Sequence, residues 1–454
     1  MSIEQLAILR SFLLTRLRRF ANREQLESWQ NRKVEKFVRR TVIRSQYYRD
    51  LFAAKGIAPE DWRACPLMTR ELFVANFDAI STRGVNLAEA MALCQASEAS
   101  RDFSARLGDL TVGMSSGTSG NADSRGVFFV SDRERALWSG NILAKCIAGS
   151  IFDKCRIALF LRNNSNLYET LSGQRIQFCY FDLASDCELN AKKLEQFKPD
   201  ILVAPPSMLG YLAGLVSSGR ITLKPSKVIS VAEVLEPIDS ELIRAAFGSA
   251  PGQIYQCTEG FIAYTCAQGS LHLCEDLAVF ERQYLDGEPG KFVPIVTDFT
   301  RSTQPIVRYW LGDILSDGKG CDCGSVYATI GSVVGRMQDC IVLPSQASDS
   351  RAGVAVTILP DSLGQVFWYS GSTRGLISDY QVEQIARDSL VISLPADLLD
   401  SDVQEQIAKG IKELCESRGA VAPSLSFESL ERKSDFVIKR RRVQGLADPV
   451  SRLL

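Results

Sequence analysis

The sequence GMSSGTSGNADSRG, residues 113–126, contains four Gly, four Ser and one Thr between two short apolar runs. A turn of this composition can present several backbone N–H groups and hydroxyls to one concavity, which suits the oxygens of a phosphate. The same composition is also typical of plain flexible connections. A P-loop is excluded because no Lys follows Gly117 or Gly120, and the dinucleotide spacing G-x-G-x-x-G is absent as well. The turn therefore belongs to another class.

The composition of the chain indicates a globular protein without a strong overall charge. Its 454 residues are 46% hydrophobic and 23% charged, which allows a large core and two or three domains. A net charge of −1 argues against a nucleic-acid partner. The apolar runs, such as residues 157–161, are far shorter than the roughly 20 residues that cross a bilayer. The N-terminal segment lacks the features of a signal peptide, so we expect a cytoplasmic protein with no membrane span.

Cysteine usage and the charge of the N-terminal segment each leave two readings open. The chain has 13 Cys and one His, His272, and an odd Cys count in a reducing compartment indicates buried thiols or metal ligands. Residues 1–60 alternate apolar and charged positions at helical spacing, with an excess of Lys and Arg. This pattern predicts a solvated basic helical face or, alternatively, a docking surface for an acidic partner.

The order of apolar segments predicts an α/β protein with a second, smaller unit. Strand-length segments at 157–161, 200–206, 227–234 and 252–260 alternate with amphipathic runs at 191–197 and 237–247. After a Gly-containing stretch at 331–345, short strands and one helix at 401–417 predict an α+β unit. We therefore predict a large N-terminal α/β domain over residues 1–337 and a small mobile α+β domain over 338–454, with a hinge near Gln338.

Six motifs occur in a fixed order along the chain. They are SSGTSG (115–120), VAE (231–233), YQCTEG (255–260), QPIVRYWLGD (304–313), GRMQD (335–339) and the Lys in VIKRRRV (437–443). Together they resemble the adenylate-forming superfamily of acyl- and aryl-CoA ligases. The segments MSSGTSG, LHLCED (271–276) and CDCG (321–324) are most similar to its branch of phenylacetate-CoA ligases and coenzyme F390 synthetase-related proteins.

The resemblance implies a two-step reaction. ATP activates a carboxylic acid, expected to be aromatic, as an acyl-adenylate with release of pyrophosphate. The acyl group then passes to the thiol of CoA or to the phosphopantetheine of an acyl carrier protein. The superfamily usually has a Lys where this chain has Asn121, so the alternative is a catalytically impaired nucleotide-binding protein with a regulatory or interaction role. A homodimer is left open.

The resemblance also assigns the nucleotide site. Asp313 is expected to accept both ribose hydroxyls, a task for two oxygens of one side chain. Glu259 is expected to hold Mg²⁺ as a hard oxygen ligand. Lys439 is the expected catalytic Lys, with Lys433 as the alternative, and Arg336 is expected near the ribose and phosphates. The remaining nucleotide contacts are expected from Ser115, Ser116, Gly117, Thr118, Ser119 and Gly120 at the phosphates, and from Ala232, Glu233, Tyr255 and Thr258 around the adenine.

Two further sites follow from position and spacing. Asn166 and Tyr168 lie where superfamily members place the acyl pocket. The arrangement C-x5-H-x48-C-x-C supplies three thiolates and one imidazole for a structural Zn²⁺, with unligated buried thiols as the alternative. Its members are Cys266, His272, Cys321 and Cys323. Cys257 and Cys274 are expected in the core.

Overall fold

The computed structural model describes residues 3–115, 125–146, 154–162, 176–346, 355–369, 377–430, 436 and 438–446. Within these ranges, no helix combines the length and the apolar character needed to cross a membrane. The predicted fold class is confirmed, because a large α/β part is followed by an α+β part with its own sheet. The division at 337/338 itself stays a prediction.

The N-terminal part is helical, as its periodicity predicts. Asn22 and Ser45 begin the second and third helices with side chains that accept a backbone N–H from the first turn, and Gly56 ends the third in the left-handed region. The helices are α1 (Ile3–Leu17), α2 (Arg23–Arg40), α3 (Gln46–Lys55), α4 (Arg70–Ala75), α5 (Phe77–Ile80) and α6 (Leu87–Ser100).

A small antiparallel sheet carries the Gly- and Ser-rich turn. Its strands are β1 (Arg106–Leu107), β2 (Leu110–Met114) and β3 (Val127–Ser131). Strands β2 and β3 pair from Leu110 opposite Ser131 to Met114 opposite Val127. The turn therefore joins two neighbouring antiparallel strands, and its two ends meet where the Ser115 N–H donates to Gly126 O at 2.7 Å.

A parallel α/β layer forms the centre of the molecule. Its elements are α7 (Asp132–Cys146), β4 (Cys155–Leu161), β5 (Ile176–Asp182), α8 (Cys187–Phe197), β6 (Ile201–Ala204), α9 (Pro206–Ser217), β7 (Lys227–Val231), α10 (Pro237–Phe247) and β8 (Gly252–Cys257). The strands pair in the order β5-β4-β6-β7-β8, all parallel. Because β5 and β6 lie on opposite sides of β4, the strand order reverses there, and such a reversal opens a crevice at the carboxyl ends of the strands.

Antiparallel strands extend this layer on the far side of β8. They are β9 (Gly260–Thr265), β10 (Leu271–Leu273), β11 (Ala278–Tyr284), β12 (Lys291–Asp298), β13 (Ile306–Trp310), β14 (Asp313–Asp317) and β15 (Thr329–Arg336). The sheet continues in the order β8-β9-β10-β15-β14-β12-β11, and β13 also pairs with β12. Asp313 and Arg336 stand opposite each other in the β14–β15 pair.

The C-terminal part has two α-helices among its described residues, and the prediction of one helix is wrong. Its elements are β16 (Ile341–Pro344), β17 (Ala355–Ile358), α11 (Pro360–Tyr369), β18 (Gln381–Ala386), β19 (Ser389–Leu394), α12 (Ser401–Ser417), β20 (Ser424–Ser429) and β21 (Val443–Gln444). Helix α11 was missed because Gly364 and several β-branched or aromatic residues lower its helix propensity, whereas burial of Leu363 and Phe367 stabilises it. Both helices pack into one cluster with the sheet β20-β19-β18-β21.

Candidate active site

Two adjoining cavities lie at the carboxyl ends of the central parallel strands. One has a volume of about 690 Å³, and many polar and charged side chains line it beside apolar ones. The other, of about 260 Å³, is lined chiefly by apolar side chains from β4, β6, β7 and β8. The two share Ser115, Ala232, Glu233, Thr258 and Lys439 along their common wall. A charged ligand group and an apolar one can therefore be bound side by side.

The polar cavity brings together residues from motifs that are far apart in the sequence. It is bordered by the following predicted site residues: Ser115, Ala232, Glu233, Tyr255, Thr258, Glu259, Asp313, Arg336 and Lys439. The predicted residues 116–120, together with Asn121, Asn166, Tyr168 and Lys433, lie outside the described residues. The roles assigned to the described residues stay predictions, whereas their proximity is a property of the structure.

Asp313 is held between a phenol and a guanidinium. The Tyr255 hydroxyl donates to Asp313 Oδ2, and Arg336 Nε lies 3.4 Å from Asp313 Oδ1. Burial raises the pKa of the Asp313 carboxyl, and the charge of Arg336 opposes that rise. Burial also disfavours the charge of Arg336, yet the nearby carboxylates, Asp313 foremost, raise its pKa. The three side chains form a fixed, polar edge of the cavity.

The turn after β8 places a second carboxylate on the cavity wall. Thr258 Oγ1 donates to Glu259 Oε2 at 2.9 Å. A Cβ added at Gly126 would lie only 3.2 Å from Thr258 Oγ1, so the base of the Gly- and Ser-rich turn packs against this segment. Arg301 is fully buried and donates to Thr258 O at 2.8 Å. Sequence reasoning missed Arg301, since a single Arg in TDFTRSTQP carries no distinctive spacing.

The VAE segment connects the cavity to the C-terminal part. Ala232 has φ +69°, a left-handed conformation that is costly for a residue with a Cβ and is frequent at functional sites. Glu233 accepts hydrogen bonds from the Ser207 N–H and hydroxyl, both at 3.1 Å, and from the Arg440 N–H at 3.0 Å. Burial, together with the charge of Arg336, lowers the pKa of neighbouring Lys439. The Lys439 side chain lies at the junction of the two cavities.

The smaller cavity is apolar because alternate residues of four parallel strands face it. These residues are Ile157, Leu159, Leu161, Ile201, Val203, Ile229, Val231 and Ile254. The aromatic side chains of Phe128, Trp138 and Phe178 complete the wall. Cys257, predicted to lie in the core, is only partly buried and lines both cavities, whereas Cys274 is buried as expected.

Arg125 is the one cationic residue in the sequence of the Gly- and Ser-rich stretch 113–126. Its guanidinium pairs with Glu98, with Nη1 2.7 Å from Oε2, and its Nε donates to Ser115 O at 2.6 Å. Arg125 thus fastens the base of the turn to α6.

Cys266, His272, Cys321 and Cys323 form a separate cluster on the antiparallel side of the sheet. Their ligand atoms all lie within 4.8 Å of one another. The sulfurs of Cys266 and Cys321 are 3.6 Å apart, and Cys323 Sγ lies 3.4 Å from His272 Nε2. His272 Nδ1 is 2.9 Å from Tyr327 O, and a carbonyl can only accept, so Nδ1 carries the proton and Nε2 presents its lone pair.

Known proteins share this architecture. No protein-family model matches the chain. The chain is 25% identical over 169 residues to the phenylacetate-coenzyme A ligase of Thermus thermophilus, a match that covers 33% of this chain and 37% of that ligase. The 2-hydroxyisobutyryl-CoA ligase, solved in its postadenylation state with 2-HIB-AMP, aligns over 95% of this chain and 91% of its own with a TM-score of 0.65 and 14% identity. The chain has the fold of adenylate-forming enzymes.

A second solved structure agrees with this adenylate-forming fold. The GH3.15 acyl acid amido synthetase aligns over 94% of this chain and 92% of its own, with a TM-score of 0.59 and 14% identity. At such low identity these likenesses show the fold, which is shared over nearly the whole length. The match to the phenylacetate-CoA ligase spans just over a third of that enzyme. The fold expected from the six-motif resemblance is therefore confirmed.

Proposed function

We propose that the chain is an AMP-forming ligase that activates a carboxylic acid with ATP and transfers the acyl group to a thiol. The observation that carries this proposal is the convergence of Glu259, Asp313, Arg336 and Lys439 on one cavity that adjoins an apolar one. These four side chains supply the charged groups that a nucleoside triphosphate and its ribose require. The apolar cavity can hold the body of an acid.

Each charged residue has a distinct task in the proposed first step. Asp313, oriented by Tyr255 and Arg336, accepts the ribose hydroxyls. Lys439, at the junction of the cavities, stabilises the negative charge that develops between the acid carboxylate and the α-phosphate. The Glu259 carboxylate is a hard oxygen donor of the kind that Mg²⁺ prefers, and bound Mg²⁺ would neutralise phosphate charge. The protein thereby contributes position and electrostatics to the reaction.

The acid is proposed to be apolar and, from the branch that the motifs resemble, aromatic. The aliphatic and aromatic lining of the 260 Å³ cavity supports an apolar acid. Both acceptors expected from the sequence, CoA and the phosphopantetheine of a carrier protein, fit the proposed second step. Phenylacetate and 2-hydroxyisobutyrate are the acids of the related ligases and are test compounds for this chain.

The test is an acid-dependent assay of the full chain. ATP–pyrophosphate exchange is measured with Mg²⁺ and a panel of aryl, arylacetic and fatty acids, followed by thioester detection with CoA or a phosphopantetheinylated carrier protein. The proposal expects exchange with at least one apolar acid. Binding of ATP without exchange for any acid would favour the alternative of an impaired nucleotide-binding protein.

We also propose that the Cys₃His cluster holds a structural Zn²⁺. In a tetrahedral zinc site the ligand separations are about 3.8 Å between sulfurs and about 3.6 Å between sulfur and nitrogen. The Cys266–Cys321 and Cys323–His272 separations, 3.6 Å and 3.4 Å, fit those values. Four protein ligands fill the coordination sphere, so the role is structural. Metal analysis of protein purified without chelators tests this proposal, and protein free of metal would refute it.

A further inference from the structure

Three consecutive arginines follow Lys439, and each pairs with an acidic residue outside its own segment. Arg440 Nη2 lies 2.7 Å from Asp239 Oδ1, and Arg441 pairs with Asp339. Arg442 donates from Nη1 to Asp239 Oδ2 at 2.7 Å and from Nη2 to Asp239 Oδ1 at 2.9 Å. Asp239 is therefore the shared partner of two cations on either side of Arg441.

Asp239 belongs to a helix of the large α/β layer. It lies in the first turn of α10, where its Oδ2 accepts the Glu236 N–H at 3.3 Å in a reciprocal cap. The side chains of Asp239 and Arg442 are each 3% exposed, so this ion pair is buried from solvent. Burial by itself would raise the pKa of Asp239, but the charges of Arg440 and Arg442 hold that pKa below its usual value.

The C-terminal part contributes further groups to the same cluster. Asp379 Oδ1 lies 2.9 Å from Arg442 Nε, and the Tyr380 hydroxyl donates to Glu236 Oε2 at 2.8 Å. Glu236 Oε2 also lies 3.3 Å from Arg442 Nη1. The cluster thus joins α10 to the strand region 379–382 and to residues 440–442 at once.

The position of Lys439 depends on this cluster through the backbone. The next N–H, that of Arg440, donates to Glu233 Oε1 at 3.0 Å, and the Arg440 side chain turns back to Asp239. The residue that follows Lys439 is consequently anchored twice, by Glu233 through its backbone and by Asp239 through its side chain. Asp239 is not among the residues that line either cavity, so it has no direct route to the reacting groups.

We infer that Asp239 is a positioning residue that holds Lys439 in the arrangement required for adenylation. The inference rests on the proposed function. It predicts that the two half-reactions respond differently to loss of the Asp239 charge. Adenylation needs Lys439 in the cavity, whereas transfer from a preformed adenylate does not.

The test compares Asp239→Asn with a matched control that also joins the two parts of the chain. Arg418 of the C-terminal part pairs with Glu288 of the large α/β part, away from residues 439–442. Glu288→Gln therefore weakens the contact between the two parts without touching the Asp239 cluster. Removing the charge of one partner strongly destabilises a buried ion pair, so Asp239→Asn should loosen the hold on Lys439. Pyrophosphate exchange is therefore expected to slow roughly 10- to 100-fold. Thioester formation from synthetic acyl-adenylate should stay within about threefold of the parent. Glu288→Gln should leave the ratio of the two rates unchanged.

A second variant and a second readout keep the inference testable if Asp239→Asn does not fold. Asp379→Asn removes one partly exposed partner of Arg442. It should also slow pyrophosphate exchange more than thioester formation, but by a smaller factor. Hydrogen–deuterium exchange should become faster in the peptide covering residues 438–446 in both variants, and not in Glu288→Gln.

The outcomes separate this inference from the proposed function. A parent without pyrophosphate exchange for any acid overturns the proposed function, and the hydrogen-exchange comparison still tests whether Asp239 holds residues 438–446. If the parent is active and both half-reactions fall equally, or if neither falls, Asp239 is not a positioning residue. Unchanged hydrogen exchange at 438–446 in Asp239→Asn refutes the inference as well.

Discussion

Asp313→Asn offers a sharp test of the proposed nucleotide site. The substitution keeps the size of the side chain and an oxygen that can accept from Tyr255, but it removes the charge that faces Arg336. A hydrogen bond to a charged group is worth about 1.5–3 kcal/mol, so loss of two such bonds to the ribose costs about 3–6 kcal/mol. The expected result is an AMP affinity lower by a factor of roughly 10² to 10⁴.

Deoxynucleotides make this prediction specific to the ribose. For the parent, 2′-deoxy-AMP and 3′-deoxy-AMP should each bind about 10- to 100-fold more weakly than AMP in calorimetric titrations. For Asp313→Asn, removal of either hydroxyl should change the affinity by less than about threefold, since the partner is already lost.

The matched control lies on the same strand. Asp317, at the other end of β14, pairs with Arg282 away from the cavities, so Asp317→Asn should bind all three nucleotides like the parent. If the parent does not discriminate against either deoxynucleotide, or if Asp313→Asn retains the full discrimination, the ribose assignment is refuted.

Four other substitutions test separate parts of the structure. Glu259→Gln should lower pyrophosphate exchange about 100-fold or more by removing a proposed Mg²⁺ ligand, and exchange near the parent rate would contradict that role. Lys439→Met should slow adenylation and spare thioester formation from synthetic adenylate. In the parent, adenylation should decline with rising pH below the usual lysine range, because burial lowers the pKa of Lys439; equal loss of both steps in the variant would reject the assignment. Cys323→Ser should reduce zinc from about one per chain and lower the Tm, and an unchanged metal content would count against the site. Burial raises the pKa of Asp298 to about 6, so the stability that its carboxyl contributes is present below about pH 4 and lost as the pH rises through 6. The Tm of Asp298→Asn relative to the parent should therefore rise between pH 4.5 and 7.5. A constant difference in Tm would contradict this reasoning.

Local patterns in the sequence determined the order and type of most central elements. Strand-length apolar runs at 157–161 and 227–234 correspond to β4 and β7, and the amphipathic run at 237–247 is helix α10. These signals are readable because strand and helix periodicities act over a few neighbouring residues. The order of six motifs likewise indicated the fold of adenylate-forming enzymes. Helix α11 was missed because its local propensity is poor and its stability comes from tertiary burial.

The contacts that build the site could be decided only by the tertiary structure. Sequence resemblance placed Asp313, Arg336 and Lys439 in one function, but it could not show that Tyr255 bonds Asp313. Nor could it show that Arg125, within the Gly- and Ser-rich stretch, pairs with Glu98.

The same holds for the partners of the residues after Lys439. Asp239 and Arg442 are 203 positions apart in the sequence. A run of three arginines by itself predicts a solvated basic segment, and only the fold shows that α10 packs against it. The charge of a side chain is local information, whereas its partner, its burial and hence its pKa depend on which distant strands and helices pack around it.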